Sequence, residues 1–194
     1  MDRRLTGRFE DALVYATQLH ASQVRKGTDI PYVSHLLGVA SLVIEAGGTE
    51  DEAIAALLHD GPEDQGGLGT LKEIRDRFGV PVGKIVAACS DTFEEKKPAW
   101  QKRKQAYLDH LLDATPSVRL VSCADKLHNA RAILTDYRRH GEELWQRFNA
   151  EREDILWYYG ELARIFSARG PEQLAAELTS VVEQLRDEVA RHMT

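Results

Sequence analysis

The chain has 194 residues, 43% hydrophobic and 29% charged, with 14 Gly and 6 Pro; this fits one globular domain and excludes collagen-like, low-complexity and disordered chains. Its formal net charge of −6 has the wrong sign for a general nucleic-acid binder, and its 2 cysteines are too few for a disulfide scaffold or a Cys-rich zinc site. No run reaches the ~18 apolar residues of a membrane span, and MDRRLTGRFEDA lacks the apolar middle of a signal peptide, so a cytoplasmic protein is expected.

The first predicted element is an amphipathic helix. Phe9, Ala12, Leu13, Ala16, Leu19, His20 and Gln23 recur on one face, and the helix is expected to stop near Lys26-Gly27. TDIPY then reads as extended chain ahead of its proline. A second helix is predicted from about Ser34 to Ala46, closed by Gly47-Gly48. Thr49 and Glu52 have the spacing of a capping box, opening a third helix through AIAALLHD with Ala53, Ala56, Leu57 and Asp60 on one face. Thr70 and Glu73 repeat that spacing and predict a short helix ending at Phe78-Gly79. Pro81 suits the first turn of the next helix, which carries Val82, Ile85, Val86 and Cys89.

EEKKPAWQKRK reads as a polar connection, after which Trp100, Tyr107, Leu108 and Leu111 resume a helical stripe. Val118 to Ala124 could be a strand by composition, but the pattern runs on through Leu127, Ala130 and Leu134, which favours helix. Trp145 to Phe166 and Pro171 to Val189 read as two last helices split at Gly170-Pro171. The expected fold is an all-α bundle of about nine or ten helices. One domain is expected over 1–194, its motifs between about 9 and 166, with a C-terminal helix over about 171–193. The stripe Leu174, Leu178, Val181, Leu185 and Val189 could cap the bundle or make a homo-oligomer contact; capping is the simpler reading.

Four positions are candidates for metal chemistry: His35, the adjacent His59 and Asp60, and Asp125. Imidazoles and carboxylates suit Mn²⁺, Fe²⁺ or Zn²⁺, and two of each from three helices can surround one ion while leaving places for water and a phosphate oxygen. A lone buried His or Asp is as readily a hydrogen-bonded structural residue, and spacing alone leaves both readings open. Glu63 and Asp64 fall about one helical turn beyond the His-Asp pair, on the same side. They could orient or deprotonate a water and protonate a leaving group; a solvated acidic helix end is the plainer alternative. Pro62, between the two pairs, removes a helical hydrogen bond and can kink the chain there.

HDGPED resembles the HDxxED signature of the HD superfamily of metal-dependent phosphohydrolases. With HASQVRKGTDIPYVSH, AALLHDGPED, ADKLHNAR and a Tyr ahead of ELA, the chain resembles the alarmone-hydrolase domain of RelA/SpoT-type proteins, in its small stand-alone form, over roughly residues 9 to 166. The resemblance implies an all-α fold and one divalent ion, usually Mn²⁺, on His35, His59, Asp60 and Asp125. It implies Glu63 and Asp64 as the catalytic acids. Arg25 and Lys26 would contact the guanine base and phosphates, Asn129 would face the nucleotide with Arg131 at the end of the same motif, and Tyr159, with Tyr158 as the adjacent alternative, would lie near the nucleoside. The implied reaction is hydrolysis of the 3′-pyrophosphate of ppGpp or pppGpp to GDP or GTP and pyrophosphate. The implied partner is thus a small-molecule nucleotide, with no nucleic acid and no membrane.

The chain departs from the commonest family pattern at Leu36, in a proline position, in the longer RKGTDIPY spacing, and at Gly61-Pro62. Lys96, Lys97, Lys102, Arg103 and Lys104 could form a basic flap near the diphosphate or simply a solvated helix face. His20 and His128 are expected to pack beside the ligands or orient them, while His110, His140 and His192 have no partners that the sequence names. Trp100, Trp145, Trp157 and Tyr107 are expected in the core. The alternatives are an HD phosphohydrolase acting on an adenine alarmone or NADPH, and a nucleotide-binding sensor without catalysis.

Overall fold

The computed structural model describes residues 4–90 and 98–192. Among them the chain forms α1 (Gly7–Leu19), α2 (Val33–Glu45), α3 (Glu50–Leu58), α4 (Gly61–Asp64), α5 (Gly67–Phe78), α6 (Val80–Cys89), α7 (Trp100–Asp113), α8 (Pro116–His140), a 3-10 segment (Gly141–Arg147), α9 (Arg152–Arg169) and α10 (Glu172–His192). The only β-type pairing among the described residues is the isolated bridge between Val24 and Pro31. The all-α expectation holds.

Local chemistry explains the main helix starts. Thr6 caps α1 by accepting from the Arg8 amide at 3.3 Å. Thr49 and Glu52 form the expected box on α3: the Thr49 amide donates to Glu52 Oε2 at 2.7 Å, and the Glu52 amide to Thr49 Oγ1 at 3.4 Å. Thr115 caps α8 with Pro116 in its first turn, and Gly141 ends that helix at φ +57°.

α3 is the centre of the fold. Ala53 through Leu58 are all buried, because α3 packs against α1, α2, α6 and α8. A helix with neighbours on every side needs apolar residues all round rather than one stripe. α8 is the second spine, in contact with α2, α6, α10 and the 3-10 segment. α10 lies against α8 and α9, burying Leu174, Leu178, Leu185 and Val189, so this stripe covers the bundle. Val182 is buried in place of Val181, which is half-exposed.

Four boundaries differ from the sequence expectation. α1 stops at Leu19, and residues 20–32 fold back on themselves: the Arg25 amide donates to the Ile30 carbonyl at 2.8 Å and the Tyr32 amide to the Gln23 carbonyl at 2.9 Å. His20 and Gln23 matched the helical period although the loop, not the helix, turns them inward. α5 begins at Gly67 rather than Thr70, because Gly66 makes the turn at φ +103° and the Thr70 hydroxyl donates to the Gln65 carbonyl instead of capping. The third helix breaks after Leu58, so His59 and Asp60 form a joint before α4, with Pro62 in its first turn. Trp145 lies in the 3-10 segment, and α9 starts only at Arg152. Among the described residues no helix is long and apolar enough to cross a membrane.

Candidate active site

Three parts of the fold converge on one point: α2 brings His35, the α3–α4 joint brings His59 and Asp60, and α8 brings Asp125. His35 Nε2 lies 3.5 Å from Asp60 Oδ2 and 3.2 Å from Asp125 Oδ1. His59 Nε2 lies 3.0 Å and 3.6 Å from the same two oxygens. Neighbouring donor atoms around one ion with bonds of ~2.1 Å stand about 3–3.5 Å apart, so the cluster has the dimensions of a coordination shell.

The imidazoles are oriented for that use. His59 Nδ1 lies 2.8 Å from the Ala56 carbonyl, which can only accept, so the proton sits on Nδ1 and the Nε2 lone pair faces the carboxylates. His59 Nε2 is buried and makes no aligned hydrogen bond, an orphaned acceptor that suits a cation. His35 Nδ1 lies 2.9 Å from His128 Nδ1, and Gly38 makes room for that ring: a Cβ there would stand 2.3 Å from His128 Cδ2. Burial and the neighbouring His35 push His128 down to about 4, which keeps it neutral near pH 7. The donor set, its spacing and the orphaned nitrogen fit a divalent metal.

Charge is balanced locally. Burial opposes ionisation of Asp60 and Asp125, but His59 overcomes it at Asp60 and Lys126 at Asp125, holding both carboxyls well below their usual range. Burial opposes charge on His59, but with no ion on Nε2 the two carboxylates outweigh it and favour a proton there, raising its pKa; a bound ion would take that proton's place. Lys126 Nζ donates to Asp125 Oδ2 at 2.6 Å and Tyr32 Oη to Asp60 Oδ2 at 2.6 Å. Neither Lys126 nor Tyr32 was singled out from the sequence, although each lies inside a motif already quoted, ADKLHNAR and DIPY.

Glu63 and Asp64 lie on α4, just beyond the joint. Asp64 Oδ2 accepts from Gln23 Nε2 at 2.8 Å, while Gln23 Oε1 accepts from Gln65 at 2.7 Å and from His20 Nδ1 at 2.7 Å. Burial, then the nearby Asp60 charge, raises the Asp64 pKa, the direction expected of a group that exchanges protons. His20 stacks on Tyr32 at 5.2 Å and packs beside the cluster.

A cavity of about 700 Å³ adjoins the cluster, and Arg25, Lys26, His128, Asn129, Arg131 and Tyr159 are among its lining residues. Arg25 donates to Asn129 Oδ1 at 2.9 Å, and Asn129 Nδ2 donates to Asp125 Oδ1 at 2.6 Å. Lys26 donates to Asn149 at 3.0 Å, and Arg131 pairs with Glu177 of α10. Tyr159 lines the cavity, whereas Tyr158 packs against Trp100, at 5.9 Å, and under Lys104, at 5.2 Å. Arg139 and Arg147 also line the cavity; Arg147 arrives through the 3-10 segment, a placement with no local sequence signal.

The basic stretch is dispersed. Lys96 and Lys97 lie outside the described residues. Lys102 lines a separate groove with Trp157, and Arg103 donates to the Pro98 carbonyl at 3.1 Å. Tyr107 and Trp145 are buried as expected, while Trp100 and Trp157 are only partly so. His192 finds partners that the sequence did not name, the Glu188 carbonyl at 2.9 Å and the Tyr137 ring at 5.4 Å.

The family model described as HD domain matches residues 12–156, a stretch that contains the whole cluster. The chain belongs to the HD-domain family. This HD-domain chain is 36% identical over 138 residues to guanosine-3′,5′-bis(diphosphate) 3′-pyrophosphohydrolase MESH1 of Xenopus tropicalis, covering 70% of this chain and 72% of that one. The Homo sapiens protein of the same name is 32% identical over 144 residues, covering 73% and 75%. A solved structure described as a metazoan ortholog of SpoT that hydrolyzes ppGpp superposes with a TM-score of 0.78 at 25% identity, covering 94% of this chain and 98% of that one. A Listeria monocytogenes structure shares the fold, with a TM-score of 0.66 at 24% identity over 80% of this chain and 99% of its own.

Proposed function

We propose that this HD-domain chain hydrolyses the 3′-pyrophosphate of ppGpp or pppGpp, yielding GDP or GTP and pyrophosphate. The observation that carries the reading is the converged cluster of His35, His59, Asp60 and Asp125, with the orphaned His59 nitrogen, beside a cation-lined cavity. Relatives named for this reaction, 36% and 32% identical over most of both chains, support it.

The four residues would hold one divalent ion, which we take to be Mn²⁺ from the family resemblance, a choice with which the mixed imidazole and carboxylate donors agree. When bound, such an ion supplies Lewis acidity toward a phosphoryl oxygen and a water. The chain supplies the rest. Lys126 offsets the Asp125 charge, while the Ala56 carbonyl and His128 hold the imidazoles in register. Glu63 and Asp64 take the proton of the attacking water and return it to the departing ribose 3′-oxygen. The water oxygen bonds to the phosphorus next to the ribose as the bond from that phosphorus to the 3′-oxygen breaks. Arg25, Lys26, Asn129, Arg131 and Tyr159 hold the nucleotide, with the cationic groups set against its phosphates. We place this activity in the cytoplasm and in a single HD domain over 1–194.

The test is chromatography of purified protein with ppGpp and Mn²⁺, with an EDTA control. GDP and pyrophosphate, lost with EDTA, are expected. Turnover confined to an adenine alarmone or NADPH would move the assignment to another nucleotide, and tight binding without turnover would leave a sensor.

A further inference from the structure

We propose that the end of the cavity farthest from the metal cluster is the base pocket, and that Asp136, steadied by Arg147, selects guanine there. The proposal rests on the nucleotide reading above and adds to it which residues read the base.

The groups nearest the cluster are placed for the phosphate end of the nucleotide and are tied to one another there. Both ends of the Asn129 amide are committed, one to Asp125 and the other to Arg25, and Arg131 is held by Glu177. Base recognition therefore falls to polar groups farther along. Asp125, Asn129, Ala132 and Asp136 share one face of the unbroken helix α8, and the last three line the cavity. The rise between residues 125 and 136 is about 16 Å at ~1.5 Å per residue, room for a nucleoside with its 3′-phosphate at the cluster. At the far end Ile133, Leu144 and Phe148 give apolar walls suited to the faces of a purine.

Asp136 and Arg147 sit at the edge of those walls. Arg147 donates to Asp136 Oδ2 at 3.3 Å, and the side chains remain 24% and 30% exposed. Arg147 is placed by the loop after α1. Gly27 turns at φ +74°, and a Cβ there would stand 2.8 Å from Arg147 Cδ, so the absent side chain lets the arginine stem cross the turn. One oxygen of Asp136 meets Arg147, and a carboxylate has further acceptor sites.

A carboxylate accepts and never donates when ionised, so it matches an edge that offers two donors. Guanine offers such an edge in N1–H and the N2 amino group, while its O6 and N7 accept from a guanidinium. Adenine turns the lone pair of N1 toward the same carboxylate, which repels it. The pocket thus favours one purine and disfavours the other.

The test is equilibrium titration of the full-length protein with GDP and with ADP, compared across wild type, Asp136→Asn and Arg147→Met, with ppGpp turnover followed alongside. Wild type is expected to prefer GDP by about tenfold, the scale of one net hydrogen bond at a partly exposed carboxylate. Asp136→Asn should lose that preference with metal content and melting temperature unchanged. Arg147→Met should bind both nucleotides more weakly and still prefer GDP, since it keeps the carboxylate. A wild type that binds neither nucleotide, or both equally, overturns the proposal, as does an undiminished GDP preference in Asp136→Asn. Because the preference is read from binding, absent ppGpp turnover with guanine selection intact would sink the hydrolase reading alone.

Discussion

Asn129 donates to the Asp125 carboxylate at 2.6 Å, one helical turn along α8. Its other end accepts from Arg25 at 2.9 Å, so one amide ties the metal cluster to the first cation of the cavity. Removing it should loosen both. Asn129→Ala is expected to lower kcat/KM for the nucleotide by about tenfold to a hundredfold and to weaken metal affinity with it, the range seen when a group supporting a metal ligand is lost. Steady-state kinetics with a metal titration would check this, and a change in KM alone would sever the link to Asp125.

Asp125 pairs with Lys126 and is the proposed metal ligand, and a double variant can separate the two roles. Asp125→Ala should abolish metal binding and also destabilise the fold by about 3 kcal/mol, because Lys126 is left as a largely buried cation without its 2.6 Å partner. Asp125→Ala with Lys126→Met should regain stability but no metal. Thermal melts and metal analysis would read the two effects, and full metal occupancy in either variant would remove Asp125 from the ligand set.

Glu63 lies on α4, outside the His35, His59 and Asp125 cluster and the adjoining Asp60. Glu63→Gln is expected to keep the metal and lose most of kcat, by about a hundredfold or more if it exchanges protons. An unchanged kcat would take it out of the mechanism.

Gly38 is the open space into which His128 fits. Gly38→Ala places a methyl 2.3 Å from the present position of the His128 ring, which must swing away from His35. Metal affinity should fall about tenfold as the support of His35 is lost, while far-UV helicity is retained or gains slightly because alanine is the better helix former. Unaltered affinity would mean that His35 holds its orientation alone.

Glu50 gives a pH signature far from the site. Burial opposes its ionisation, but Thr6 and Arg8 outweigh that, and its pKa is lowered. It accepts from the Thr6 amide at 2.6 Å and hydroxyl at 2.7 Å and from Arg8 at 3.0 Å. A lowered folded-state pKa means stability present above the unfolded value and lost as pH falls through the folded one. Glu50→Gln should therefore cost about 1 kcal/mol near neutrality, discounted for exposure, and nothing in strong acid. Urea unfolding at both pH values would settle it, and a pH-independent difference would count against the charge.

The helices and the convergence of the His and Asp residues were legible because local signals carry them. Thr49 with Glu52 caps α3 as expected, and His35, His59, Asp60 and Asp125 each fall in a recognisable motif. What failed locally was decided by other parts of the chain. His20 and Gln23 kept the helical period beyond Leu19, yet Gln23 points inward because the loop returns it toward Asp64 and Gln65. Thr70 looked like a cap, but Gly66 had already turned the chain. The far end of the cavity was illegible because Arg147 meets Asp136 only after the 3-10 segment has doubled back along α8.

α10 lies wholly beyond the stretch matched by the HD-domain model, 12–156, yet it is the wall on which α8 rests. Glu177 holds Arg131, and Glu188 and Gln184 hold Arg138 at 3.1 Å and 3.3 Å, over a seam that buries Leu178 and Leu185. Chain shortened at Gly170 would retain every recognisable motif residue and lose the brace behind the helix that carries Asp125, Asn129 and Asp136. Inherited chemistry and the scaffolding that keeps it in alignment therefore occupy different parts of this sequence, and mutational tolerance in α10 should track contact with α8 rather than distance from the cluster.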